Sequence, residues 1–486
     1  MSQLLIQYLP WLLLGVAYGF LFGIIPVAGA ATALLTIYGF VGVFKGQPYT
    51  LVVFTTAIVV SASIGDLFSS IVMNIPGGGG SAATMVDGFP MAKKGEAARA
   101  MSASIFSAAA QGTFWGILTI LFLPYYATMV LSFKTPEMWC FLMLAMTCIC
   151  FVNSQYWLRG IVGLIIGIAV GHIGIDPVTN AQRWTGGWFY LADGLQFAPV
   201  MAGLIALPEI ITSLWIKTTY MKSNKDNWQQ IKQGALDFWQ NKWLSFRSGL
   251  IGGLVGMMPG IGGAIVDWLA YGQTVATNNK EKILFGQGNV KGVIGPEGAN
   301  LAQKATAYVP TVLFGIPAAP FELVIMVLLG IVGIELGSPR VLKDQNFFNA
   351  LTFGFMASMV LTVFISLWFI RYATLITRVP FVYWGIPVII LIAWSCAQYT
   401  GGWEDYAILF IFTIVGLFFK YFKINRIAFL IGFVLSNRLE LVNMHFFQLY
   451  KWTDLLYRPV CIILLAITLL VLIYGICYNK TKIDYA

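Results

Sequence analysis

The stretch best suited to hold a small charged ligand runs from Asn74 to Arg99, NIPGGGGSAATMVDGFPMAKKGEAAR. Pro76 followed by Gly77, Gly78, Gly79 and Gly80 cannot continue a helix, and four glycines let main-chain N–H groups converge on one anion. Ser81 to Thr84 has helical character, so Ser81 is the expected N-cap of a helix aiming its positive dipole end at the loop. A carboxylate is the natural guest, held by these N–H groups with Ser81 or Thr84 and with Asn74 at the rim. Wrapping an anion this way puts at least one of the glycines at φ > 0. No Gly-Lys-Ser/Thr follows the glycines, which excludes a phosphate-binding P-loop. The competing reading is a solvated surface loop, which fits poorly between apolar segments with so few charges.

A second set of breaks lies further along, in MMPGIGG (Met257 to Gly263) and FGIPAAP (Phe314 to Pro320). Gly315, Pro317 and Ala318 are expected to complete the substrate site. Between the two breaks, Glu297 and Asn300 stand three apart and share a helix face. They join Asp87, Pro259, Gly260, Gly262 and Asp267 as candidates for a coupling cation, sodium or a proton. Asp267 and Glu322 lie in apolar runs, where an ionised carboxylate costs roughly 2.5–3.5 kcal/mol on insertion scales; each should face protein or water. Asp87 is expected either to coordinate a cation or to cap a helix over Met91 to Ala100. Lys93, Lys94 and Arg99 belong at the membrane surface. Six cysteines without metal-ligand spacing and two scattered histidines, His172 and His445, offer neither a metal site nor a catalytic cluster. No cofactor is implied.

These residues need elements that can carry them through lipid. Of the 486 residues 58% are hydrophobic and 10% charged, a surplus that only a bilayer can hide. Charge-free runs such as Met1 to Phe44, Gly46 to Gly65, Ala100 to Phe133 and Gln345 to Ile370 are long enough to cross a hydrocarbon core. Continuous apolar runs without alternation select helices over a barrel, so the fold class is an all-α polytopic membrane protein with about ten to thirteen helical passes. The N-terminal MSQLLIQYLPWLLLGV lacks a basic start and an A-x-A site, which argues against a removable signal peptide. The net charge of +9 resides in connections between apolar runs and reports orientation rather than nucleic-acid binding.

The chain repeats itself. Gly19 to Gly39 aligns without gaps to Gly252 to Gly272, pairing Pro26 with Pro259 and Tyr38 with Tyr271 at an offset of 233. Ile75-Pro76 pairs with Ile316-Pro317 at an offset of 241, the extra residues falling around Thr277 to Leu284. The expected organisation is a first transmembrane repeat over 1–216, a polar basic linker over 217–247 and a second repeat over 248–486. Matching Gly/Pro breaks in two halves are a sequence pointer to a transporter site between inverted repeats with re-entrant helices.

With these motifs in place, the chain resembles the large membrane subunit of the tripartite tricarboxylate transporters. NIPGGGGSAATMVDGFPMAKKGEAARAM looks like that family's signature, and PGIGG, FGQGNVKGVIGPEGAN and FGIPAAP follow in its order. The resemblance implies an ion-driven importer of citrate-like or other carboxylates in the bacterial inner membrane. As partners it implies a small membrane subunit and a periplasmic solute-binding protein; self-association as a homodimer is left open. Departures touch the site: the family's first Pro-Gly is Pro26-Val27 here, its paired asparagines are Asn300-Leu301, and its second Ile-Pro-Gly is Ile316-Pro317-Ala318. The rival readings are a channel subunit without coupled transport and a membrane-embedded enzyme, the latter without any catalytic spacing to support it.

Overall fold

A computed structural model describes residues 2–151, 157–176, 181–214, 227–259, 263–373, 379–398 and 401–483. The chain opens with α1 (Ser2–Ile24), α2 (Gly29–Ile37), α3 (Pro48–Met73), α4 (Thr84–Lys93), α5 (Ala97–Val130), α6 (Thr135–Phe151) and α7 (Trp157–Gly171). A two-residue hairpin, β1 (Gly174–Ile175) with β2 (Gln182–Arg183), precedes α8 (Phe197–Met201) and α9 (Leu207–Ser213). Then come α10 (Asn227–Gln240), α11 (Lys242–Gly256), α12 (Gly263–Thr277), α13 (Lys291–Phe314), α14 (Pro320–Ile331), α15 (Pro339–Leu342) and α16 (Gln345–Phe369). Further helices include Val382–Ala397, Glu404–Tyr421, Arg426–Leu449 and Pro459–Ile483. Among the described residues five helices are long and apolar enough to cross a membrane: Gln7–Ile24, Pro48–Met73, Ala97–Val130, Gln345–Tyr372 and Arg426–Leu449. Shorter apolar helices accompany them.

The breaks seen in the sequence become turns between paired helices. Pro26 ends α1, and α2 folds back along it, with the Tyr18 hydroxyl 2.5 Å from Thr36 Oγ1. Val27 at the tip takes φ 69°, a left-handed conformation that strains a β-branched side chain. In the second half, Ser248 of α11 donates to Gln273 of α12 at 3.2 Å, closing the equivalent helix pair. Small residues seat each pair on the long helix that follows. Modelling a methyl onto Gly19 or Gly23 would bring it within 2.5 Å of the carbonyls of Ile58 and Ala62 in α3. Gly252 and Gly256 meet the carbonyls of Ala299 and Gln303 in α13 in the same way, at 2.1 and 2.6 Å. The partners differ by 241 residues in both cases, so the packing of α1 on α3 is duplicated by α11 on α13.

Chain direction follows from those contacts. Contacts advance together along α1 and α3, and α16 runs with them, since Phe353 meets Tyr8 and Phe369 meets Phe20. Helix α11 runs with α13 and with α5, Gly249 facing Gln111 and Gly253 facing Trp115. Between these groups the sense reverses, because Gly112 and Gly116 of α5 meet Met359 and Phe355 of α16 in opposite order. Each half lends a helix to the other: α16 lies against α3, and α5 against α13.

Part of the polar linker is ordered. Residues 227–240 form α10, which lies along α5 and is fixed by the Arg99 guanidinium on Asp237, with Nε–Oδ2 at 2.6 Å and Nη2–Oδ1 at 3.2 Å. Residues 217–226 lie outside the described residues. Two local expectations need correction. A helix over Met91 to Ala100 is divided, α4 ending at Lys93 and α5 starting at Ala97, because Gly95 takes φ 84°. Ser81 is no helix N-cap: it closes a 3₁₀ turn, Gly79–Ser81, and Ala83 precedes α4 without a side-chain cap.

Candidate functional site

The first break begins where Asn74, exposed, ends α3 in the left-handed region at φ 58°. The chain then passes under the α1–α2 tip, where the Val27 N–H donates to Pro76 O at 3.0 Å. Gly77, Gly78 and Gly80 are not among the positive-φ residues, contrary to the sequence expectation; Gly78 is extended at φ −144°, ψ 177°. Glycine is needed here for close approach instead. A methyl on Gly77 would stand 2.4 Å from Asp66 Cβ, and one on Gly80 would stand 2.3 Å from Asn300 Oδ1. Ser81 Oγ, buried, donates to Gly78 O at 3.3 Å and accepts from Ser70 at 2.7 Å, bracing the turn from within.

Around this break the two halves bring together a buried charge cluster. From α3 comes Asp66; α12 supplies Asp267, and α13 supplies Glu297, Asn300 and Lys304 on one helix face. Asp267 and Glu297 are fully enclosed, Asn300 is 1% exposed and Asp66 2%. Thr84 Oγ1 donates to Glu297 Oε1 at 2.7 Å, tying the break to α13. Lys304 Nζ is 3.9 Å from Asp66 Oδ2, an ion pair at the edge of contact. Three carboxylates thus share one ammonium. Several carboxylate oxygens have no hydrogen-bond partner: Asp66 Oδ1, both of Asp267 and Glu297 Oε2. Buried polar atoms are nearly always paired, so such a concentration marks a place built for something else. Unsatisfied acceptors that outnumber cations suit a cation.

Of the residues singled out by sequence, the structure gathers Gly77, Gly78, Gly80, Thr84, Asp267, Glu297 and Asn300. Asp66 and Lys304 were missed. The run Gly46 to Gly65 stops at Asp66 only because a charge-free count must, and Lys304 stands four residues after Asn300 on the face already noted. Pro259 is buried beside the α11–α12 turn, while Gly260 and Gly262 lie outside the described residues. Asp87 is held elsewhere. Its Oδ1 accepts from the N–H groups of Gly286, Gly288 and Asn289 at 2.8–2.9 Å, and its Oδ2 accepts from the Tyr271 hydroxyl at 3.0 Å. Four donors make it a clasp between α4 and the second half. Near that clasp Lys94, Arg99 and Lys291 line a surface cavity of about 440 Å³.

The second break is the twin of the first. Gly315 ends α13 at φ 60°, as Asn74 ends α3, and Ala319 is extended at φ −144°, ψ 162°, as Gly78 is. Its N–H groups are occupied from within: Glu322 Oε2 accepts from Ala318 at 2.6 Å and from Ala319 at 3.2 Å. Glu322, at the N3 position of α14, thereby caps the helix start with one half of a capping box, the Ala319 methyl having no acceptor to return. The Arg438 guanidinium lies against Gly315 O at 3.5 Å.

Apolar helices of spanning length, interrupted by paired polar breaks with buried carboxylates between them, define a multi-pass membrane protein of transporter type. A family model described as "Tripartite tricarboxylate transporter TctA family" matches residues 9–431. The chain belongs to that family. It is 26% identical over 445 residues to an "Uncharacterized 52.8 kDa protein in TAR-I ttuC' 3'region" of Agrobacterium vitis, covering 88% of this chain and 85% of the relative. A second protein of that organism, "Uncharacterized protein in TAR-II ttuC' 3'region", is 30% identical over 194 residues, covering 39% of this chain and 78% of the relative. No solved structure matches.

Proposed function

We propose that the chain is the translocating subunit of a cation-coupled secondary importer of small carboxylates. It would lie in the bacterial inner membrane and work with a small membrane subunit and a periplasmic solute-binding protein. The observation that carries this reading is the cluster of Asp66, Asp267 and Glu297 around one Lys304, with free oxygens facing the glycine break. A carboxylate guest at Gly77 and Gly78 meets those acids as a like charge. A pair of unit charges about 6 Å apart costs roughly 3 kcal/mol at an effective dielectric of 20, about a hundredfold in affinity. A sodium ion or proton placed among Asp66, Glu297, Asp267 and Asn300 removes that repulsion, so cation and substrate each raise the other's affinity by the same factor. This is the coupling a symporter needs. The opposite sense of α1–α3 and α11–α13 supports two inverted repeats.

The test is uptake of radiolabelled citrate and succinate into liposomes carrying the chain with its small membrane subunit, supplied with the binding protein. Inward sodium and proton gradients are imposed separately. Saturable uptake that depends on one gradient is expected. Flux that never saturates and ignores both gradients would make the protein a channel and overturn the proposal.

A further inference from the structure

The twin breaks differ at one decisive position. At the offset of 241 that relates α3 to α13, Ala318 and Ala319 correspond to Gly77 and Gly78, and Glu322 corresponds to Ser81. The backbone is the same in both: left-handed at Asn74 and Gly315, then extended with φ −144° at Gly78 and Ala319. In the second break a carboxylate is seated on two successive N–H groups, and it belongs to the chain itself. In the first break the side chain at that position is a serine, whose hydroxyl turns back to Gly78 O and Ser70, so no acid reaches the Gly77 and Gly78 N–H groups from that position. The amide of Asn300, 1% exposed, stands against Gly80 of the same break and within reach of Glu297.

We infer that the seat of Glu322 is the internal template of the substrate site: the first break takes one carboxylate group of the substrate on the Gly77 and Gly78 N–H groups, and the second break, filled by Glu322, takes none. The inference rests on the transport reading and narrows it to one seat. Recognition is then lopsided, with a single carboxylate held by main-chain donors from the first half. Asn300 of the second half remains to meet a neighbouring hydroxyl or carboxylate oxygen.

Ser81→Glu tests this by placing in the first break the acid that closes the second. The variant, its neutral control Ser81→Gln, and the wild type are purified in detergent with sodium present, and thermal shifts are measured with citrate, succinate and acetate. Ser81→Glu is expected to fold, with citrate and succinate affinity at least about tenfold weaker, because a tethered carboxylate competes for charge-assisted bonds. A Ser81→Glu protein that binds citrate or succinate as the wild type does would overturn the inference alone. A folded wild type without response to any carboxylate would overturn it together with the transport reading. If Ser81→Glu fails to accumulate, Glu322→Ala decides. Vacating the second break should let acetate stabilise that variant more than the wild type, and an equal acetate response would overturn the inference.

Discussion

Asp66 and Lys304 form an ion pair whose two members should not be equally expendable. Removing one partner of an isolated buried pair costs about 3–5 kcal/mol, because the other charge is stranded. Here the pair is embedded in an acid excess. Asp66→Asn leaves Lys304 within electrostatic reach of Glu297 and Asp267, and it removes one of the charges that repel each other. Its expected cost is below about 1 kcal/mol. Lys304→Met instead strands three carboxylates and should cost the full 3–5 kcal/mol or so. A gap of about 3 kcal/mol corresponds to roughly 3 °C in melting temperature for a chain of this length. Cations should narrow it: a ligand at a hundred times its Kd contributes about 2.7 kcal/mol. The assay is thermal unfolding of wild type, Asp66→Asn and Lys304→Met in a sodium series balanced with choline, repeated at acid pH. Sodium or acid should rescue Lys304→Met most, and Asp66→Asn should respond least while losing gradient-driven uptake. Equal destabilisation of the two variants, or a Lys304→Met protein indifferent to both cations, would reduce the cluster to an ordinary ion pair.

Asp267→Leu should raise thermal stability by about 1–2 kcal/mol while abolishing coupled uptake, because it removes a buried carboxylate without partners; a destabilised variant would place an unseen partner on Asp267. Gly77→Ala should destabilise by roughly 1–3 kcal/mol, since the new methyl meets the main chain at Asp66 Cα, 2.7 Å away, and at Gly23 O, 2.8 Å away. Unfolding midpoints test that directly. Val27→Gly should be neutral within about 1 kcal/mol, the relief of left-handed strain offsetting lost burial and added unfolded-state entropy; a loss above about 2 kcal/mol, as in a regular buried helix, would show no strain to relieve. Asp87→Asn should lower abundance and uptake in step, at a cost of about 2–3 kcal/mol for the weakened charge-assisted bonds. Full abundance with lost uptake would return Asp87 to the coupling site.

The breaks were legible because proline and glycine act locally. Pro26, Pro76 and Pro317 each follow a helix end beside glycine or a second break residue, unlike Pro124 or Pro310 within helices, and their recurrence at fixed offsets betrayed the duplication before any packing was known. The run Met1 to Phe44 carried its own division at Pro26, although composition saw one apolar segment. What sequence could not supply was the far side of each contact. Asp66 reads as the end of an apolar run until Lys304, 238 residues later, is found beside it. Ser81 reads as an N-cap until its hydroxyl is seen turned inward to Ser70. The glycines were assigned to the site by their freedom at φ > 0, whereas their use is the absence of a side chain beside Asp66 and Asn300, a property of neighbours rather than of the loop.

Duplication supplied two equivalent frames, and the side chains broke the equivalence in one direction. At the positions corresponding to Asp267, Glu297 and Lys304, the first half carries Leu34, Thr56 and Ser63, all buried and none ionisable. The position corresponding to Asp66 is Ala307 in the second half. A symmetric pair of charged sites would hold twice the uncompensated charge in lipid, at several kcal/mol per acid. Concentrating the acids of α12 and α13 beside the open first break, while Glu322 closes the second with its own carboxylate, leaves one polar centre off the pseudo-symmetry axis. On the proposed transport reading the costly state is a carboxylate bound alone, because it adds to an acid excess that a cation bound beside it would offset.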